Sequence, residues 1–216
     1  GMACVPRFRE SGFNRRPFGC HRYDVYSPKL HRQITLFGRH ALDLWITLEA
    51  SSSVLSYCER PIIIPGSRPV RAFDFWVQRA EGEELLVLMR NQDQKSSDNE
   101  EPASDIQSLS GTSVEGIPIR CIDPGDMTDH QITLANWGSI IRDLAAFERF
   151  IPEPLCNDVK ARLDTRKSIA QLQSELSDFD ASTVRLAIFQ LLHRGEAVCS
   201  ELATHRLTRN HVIARP

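Results

Sequence analysis

Residues Arg71–Arg90 read RAFDFWVQRAEGEELLVLMR. Ala72–Arg79 is dense in aromatic and β-branched residues, Ala80-Glu81-Gly82 carries turn chemistry, and Leu85–Met89 is an unbroken apolar run. The stretch therefore predicts two strands joined by a tight turn, the second of them buried on both faces. One acid, Asp74, stands inside the first strand between Phe73 and Phe75. A carboxylate among such neighbours needs a partner, because burial strips its hydration and an unpaired charge bears the full cost. Glu83 and Glu84 precede the apolar run and reach Asp74 only if the register differs from this reading.

Working outward, the 216 residues suffice for one large domain or two small ones, and 41% apolar content suffices for a core. The formal charge of −2 does not announce a nucleic-acid binder, but its distribution is uneven. Residues 1–33 carry seven Lys/Arg (Arg7, Arg9, Arg15, Arg16, Arg22, Lys29, Arg32) against Glu10 and Asp24. Residues 93–105 carry five acids against Lys95, and residues 160–216 carry nine Lys/Arg against six acids. Basic ends around an acidic middle suit a protein that touches phosphate at its edges. The six cysteines are scattered, with no zinc-like spacing, and read as reduced cytoplasmic thiols. No apolar run approaches the ~18 residues of a membrane span, and no signal peptide is evident.

The arm, residues 1–33, interleaves its arginines with Phe8, Phe13, Phe18, Tyr23 and Tyr26. Such a segment either lies along a nucleic-acid backbone, with Arg15, Arg16 and Arg22 on phosphates and rings free to stack, or packs on its own domain or a partner. Ile34–Glu49 is predicted to be a helix, Val54–Tyr57 a short strand and Pro61–Pro65 an extended piece. After Arg90, NQDQKSSDNEEPASD is a polar, acidic run expected to form a loop or to stay disordered. Ile106–Ser110 reads as a remnant of a crossover helix, Ile117–Ile122 as a strand and Asp129–Phe150 as a helix. Strands with intervening helices make this an α/β region with a mixed sheet.

Pro152 and Pro154 mark a boundary. Beyond it, Thr165 is expected to cap a helix over Arg166–Leu176, and Asp180 a second over Ala181–Arg194 that Gly195 stops. Ala197–Leu202 and Leu207–Ile213 then read as two strands of a small wing. Helix, turn, helix and β-wing predict a winged helix whose second helix exposes Ser182, Arg185 and His193, either to DNA or to a partner protein.

In order and spacing the chain resembles the TnsA family, the endonuclease subunit of heteromeric bacterial transposases. The resemblance runs from about Ser27 to the C-terminus. It is carried by SPKLHRQITLFGRHALDLWITLE, SVLSYCERP, RAFDFWV, LLVLMR, IPIRCIDPGDM and the winged-helix tail. It implies a restriction-endonuclease-like core that cuts 5′ transposon ends. A separate integrase-like subunit handles the 3′ ends, and the tail engages partners that include the transposition ATPase.

The catalytic set does not carry over intact. Metal-dependent nucleases of this kind place one acid where Asp74 stands, then an acid, a spacer and a lysine on the next strand. Here those positions are Leu88, Met89 and Arg90, and the family's helical glutamate falls on Ala41. Asp74 and Arg90 are thus all that remain, with Asp74 the only candidate metal ligand. Mg²⁺ requires oxygen ligands at about 2.0–2.1 Å, and one carboxylate holds a hydrated ion weakly. Glu49 lies about 80° around and ~12 Å along the predicted helix from Ala41, and Asp43 about 200° around, so neither substitutes. Asp74 itself reads as an acid paired with Arg90 or Arg71.

The expectation is a basic arm (1–33), a restriction-endonuclease-like domain (34–151) and a winged helix (152–216). Together they form a TnsA-like transposition protein without nuclease chemistry, binding the integrase-like subunit, the ATPase and double-stranded DNA in the cytoplasm, with no cofactor. The alternatives are a Mg²⁺-dependent endonuclease built on Asp74 and a winged-helix regulator.

Overall fold

The computed structural model describes residues 5–94 and 106–216, with Gln92 and Gln94 described through their backbone alone. The chain runs β1 (Arg22–Ser27), β2 (Arg32–Phe37), α1 (Arg39–Ala50), β3 (Val54–Glu59), β4 (Phe75–Arg79), β5 (Gly82–Leu88), α2 (Asn91–Gln94), β6 (Ser113–Val114) and β7 (Ile117–Ile122). It continues as α3 (Pro124–Thr128), α4 (Gln131–Phe147), α5 (Glu153–Arg162), β8 (Lys167–Ser168), α6 (Ile169–Glu175), α7 (Ala181–Arg194) and β9 (Val212–Ile213). The architecture is α/β, with a mixed five-stranded sheet in the order β3-β4-β5-β7-β6.

Two compact units share the chain. The first gathers the described residues up to Val25 with Gln33–Trp45 and Ser53–Asp129, and the second Tyr26–Arg32, Ile46–Ser52 and His130–Pro216.

In the first unit the hairpin forms where the sequence places it. Arg79 pairs with Gly82 around Ala80-Glu81, and Phe75 pairs with Leu86. Successive residues of a strand face opposite sides of the sheet. Trp76, Leu85 and Val87 on one side, and Phe75, Val77, Leu86 and Leu88 on the other, are all buried. β5 is thus covered on both faces. β7 lies parallel to β5, Leu85 opposite Ile119, so the two are not joined by a hairpin.

Several boundaries differ from expectation. Ile34 and Leu36 belong to β2, not to the predicted helix; they are buried and alternate with more exposed neighbours, and Gly38, at φ 91°, separates strand from helix. β4 starts at Phe75; Ala72 instead forms an isolated bridge with Ile63. The predicted loop after Arg90 begins with α2, and Asp93 is buried. The rest of that run, residues 95–105, lies outside the described residues. The crossover remnant is one turn of 3₁₀ helix, Gln107–Leu109. The cysteines among the described residues are free thiols, and Cys4 lies outside them.

The second unit is helical around one core, with α7 packed against α4, α5 and α6. Val184, Ala187, Ile188, Phe189, Leu191 and Leu192 of α7 are buried there with Ile140, Leu155, Val159 and Leu172. Gly195, at φ 75°, ends α7 as expected. Ser168, not Thr165, caps α6 by accepting from Gln171 N–H at 3.0 Å. The two strands predicted over Ala197–Leu202 and Leu207–Ile213 do not form as a pair: β9 pairs with β8, Val198 bridges Ala214, and Ser200–Ala203 is 3₁₀ helix. Among the described residues no helix is long and apolar enough to cross a membrane.

Candidate functional site at the head of β4

Asp74 is fixed first through its backbone. Its N–H donates to Leu86 O at 2.8 Å, and its carbonyl accepts from Arg60 N–H at 2.9 Å. Because β4 begins one residue later, Leu88 N–H, at the end of β5, takes the Asp74 carboxylate, with Oδ2 at 2.6 Å. The two halves of the sequence motif, position 74 and position 88, are therefore in direct contact. The side chain of Leu88 is buried and supplies no oxygen.

A second acid converges on this point, from a place the sequence did not reveal. Asp93, on α2, accepts from Arg90 N–H at 2.8 Å and from Arg71 Nη1 at 2.9 Å. Arg71 also donates from Nη2 to Leu88 O at 2.9 Å, and the same nitrogen stands 4.0 Å from Asp74 Oδ2. One guanidinium thus spans both acids and the end of β5. It is nearly enclosed: the side chain of Arg71 is 10% exposed and that of Asp93 5%. Arg71 Nε is buried with no acceptor among the described residues. A buried ion pair of this kind holds only while both partners and their hydrogen bonds are present.

The pairing expected for Asp74 is met by Arg71 at long range. Arg90 is half-buried, and its guanidinium makes no hydrogen bond among the described residues; it acts on Asp74 through its charge. Burial pushes the Asp74 carboxyl above its ordinary value of 3.8, opposed by the Leu88 N–H and by the charges of Arg71, Arg90 and Arg60. Burial likewise lowers the Arg90 and Arg60 guanidinium pKa values.

Between the ordinary value and the raised one, folded Asp74 holds more proton than unfolded Asp74. Stability therefore falls as pH rises through that window and stays lower above it. Asp74→Asn keeps an oxygen for Leu88 N–H and removes the charge. Urea midpoints between pH 4 and 8 are expected to lose that fall in Asp74→Asn, leaving it at least as stable as wild type at neutral pH.

The other acids weighed in the sequence are engaged elsewhere. Glu83 accepts from Arg7 and from Trp76 Nε1, and Glu84 from Arg79 and Arg120. Asp43 pairs with Arg39 at 3.0 Å. Glu49 is fully buried and takes Ser27 Oγ at 2.8 Å, Lys29 N–H at 3.1 Å and His193 Nε2 at 3.2 Å. Ala41 offers no ligand atom.

Mg²⁺ does not fit this set. Positions 41 and 88 carry hydrocarbon, and between Asp74 and Asp93 stands a guanidinium already bonded to Asp93 and Leu88 O. Among the described residues no three His, Cys, Asp or Glu side chains gather where they could hold a metal ion.

The basic residues divide. Arg22 pairs with Asp24 at 3.2 Å. Arg185 donates to Asp143 at 2.8 Å and lies over the Phe189 ring at 4.4 Å, so its guanidinium is engaged. His193, expected on an exposed face, is instead buried against Glu49. Arg15 and Arg16 are exposed and make no ion pair among the described residues. No protein-family profile matches the chain, and no curated protein does.

Proposed function

We propose that this is a TnsA-like transposition protein that has lost nuclease chemistry and works by binding, to partner proteins and to DNA. The observation that carries the reading is the Arg71 guanidinium held between Asp74 and Asp93 at the head of the hairpin. It supplies positive charge where a nuclease of this kind needs a divalent ion. It differs from an ion in chemistry: a guanidinium stays protonated, donates hydrogen bonds in a fixed fork, and offers no site at which water can be bound and ionised. Arg71 and Asp93 tie the end of β5 to α2, so the old catalytic corner serves as a structural clasp.

The topology supports a restriction-endonuclease-like reading of the first unit. Helix α1 precedes an antiparallel β3-β4-β5 meander, and a crossover then returns β7 parallel to β5. Asp74 heads the hairpin and Leu88–Arg90 ends it, as the motif positions require. A winged-helix reading of the tail is supported by α5, β8, α6 and α7 in succession, closed by β9 on β8 and by the Val198–Ala214 bridge. Within that tail, the burial of α7 and the engagement of Arg185 favour docking onto the integrase-like subunit or the ATPase over reading of a major groove.

The test is nicking of a supercoiled plasmid with Mg²⁺ or Mn²⁺, wild type beside Asp74→Ala. The plasmid is expected to stay closed with both proteins. Nicking by wild type that Asp74→Ala abolishes overturns the proposal in favour of the endonuclease alternative.

A further inference from the structure

The arm falls into two parts with different surroundings. From Arg7 to Asn14 it is bound to its own unit. Arg7 pairs with Glu83 at 2.8 Å, and Phe8 meets the Trp76 ring edge-on at 5.6 Å. Gly12 N–H donates to Arg60 O at 2.9 Å. The approach there is so close that a Cβ on Gly12 would lie 2.4 Å from Pro61 O. Arg60 then grips the next two residues, donating to Phe13 O at 2.7 Å and Asn14 Oδ1 at 3.2 Å.

Past this anchor the next fixed points are Cys20, whose Sγ would lie 3.7 Å from a Cβ on Gly38, and His21, whose carbonyl accepts from Gly38 N–H at 2.8 Å. Between the anchor and these points stand Arg15, Arg16 and a tight turn closed by Cys20 N–H on Pro17 O at 3.2 Å. Gly19 takes φ 77° at the third position of that turn, where glycine is favoured, and this leaves Phe18 at the tip. Phe18 is as exposed as in an extended peptide, with a relative accessibility of 107%.

An exposed apolar side chain alone needs no explanation. Here it is displayed by a turn pinned on both sides and preceded by two arginines that make no ion pair among the described residues. We infer that residues Arg15–Phe18 form a stacking finger for nucleic acid with unpaired bases. The guanidinium groups of Arg15 and Arg16 take backbone phosphates, and the Phe18 ring takes the face of a base. The charge decides the class of occupant. An apolar protein pocket would accept Phe18 but leave Arg15 and Arg16 without counter-charge, whereas a single strand offers a ring face and phosphates together. The inference deepens the DNA-binding part of the function proposed above, and it stands or falls independently of whether the protein cuts.

The experiment is fluorescence anisotropy with a labelled oligothymidylate of about 15 nucleotides, with the matching duplex and polyglutamate as competitors. Wild type is expected to bind the single strand in preference to the duplex, and polyglutamate is expected to compete poorly. Phe18→Ala is expected to weaken binding about tenfold without changing the melting temperature. Phe18→Trp is expected to restore affinity and to add an indole emission that the oligonucleotide quenches. Arg15→Ala/Arg16→Ala is expected to lower the slope of log affinity against log salt by about 1.4, for two phosphates on a single strand. Absence of binding by wild type, or unchanged affinity in Phe18→Ala, overturns the inference. So does equal competition by duplex or polyglutamate. None of these results bears on plasmid nicking, so the two proposals fail separately.

Discussion

Arg71→Met is expected to destabilise the folded chain by about 3–5 kcal/mol, the range for removing one partner of a buried ion pair. Asp93 would keep Arg90 N–H but lose the Arg71 charge bonded to it at 2.9 Å, and Leu88 O would lose the Arg71 donor. Arg71→Lys should recover little, because one ammonium does not reproduce a fork that reaches Asp93 and Leu88 O from two nitrogens. The double replacement Arg71→Met/Asp93→Leu should restore most of the loss, since well-packed apolar pairs often match buried ion pairs in stability. Urea midpoints for the four corners of this cycle give the coupling. A cost well under 1 kcal/mol for Arg71→Met would mean that the guanidinium does not clasp the corner.

Glu49→Ala should cost about as much, roughly 3–5 kcal/mol, for a related reason. Three donors converge on a carboxylate that has no exposed surface: Ser27 Oγ, Lys29 N–H and His193 Nε2. Alanine removes this shared acceptor and leaves a void. The same loop supports α1 a second way, with Lys29 Nζ donating to the carbonyls of Leu48 at 3.1 Å and Ser51 at 2.6 Å near the helix C-terminus. Cations there bond carbonyls that have no partner within the helix. Glu49→Gln keeps one acceptor oxygen but turns an NH₂ toward a donor, so its cost should be smaller, about 1–3 kcal/mol. Urea denaturation should rank the series wild type, Glu49→Gln, Glu49→Ala; equal stability of all three would remove Glu49 from the account.

Much of the fold is legible in residues 71–90, because strand alternation and turn chemistry are local signals that tertiary contacts here reinforce. β7 and the end of α7 at Gly195 are legible for the same reason. The reading fails where a local signal has two meanings. Ile34 and Leu36 satisfy the start of a helical stripe as well as a strand, and the break at Gly38 was the cue that separates them. Pro152 and Pro154 read as a boundary; α5 starts there, because proline is tolerated in the first turn of a helix. Asp93 was not legible at all. It lies in a run whose composition argues against burial, and its partner Arg71 is 22 positions earlier. Only the folded chain brings them together. Arg71 as a partner for Asp74 was readable from sequence; its bonds to Asp93 and to Leu88 O were not.

Uptake of Mn²⁺ tests most directly the proposal that the Arg71 guanidinium takes the place of an ion between Asp74 and Asp93. The electron paramagnetic resonance signal of free Mn²⁺ can be followed as wild type and Asp74→Ala are added. Equal free Mn²⁺ with both proteins is the expected result. A stoichiometric ion retained by wild type and released by Asp74→Ala would contradict the account.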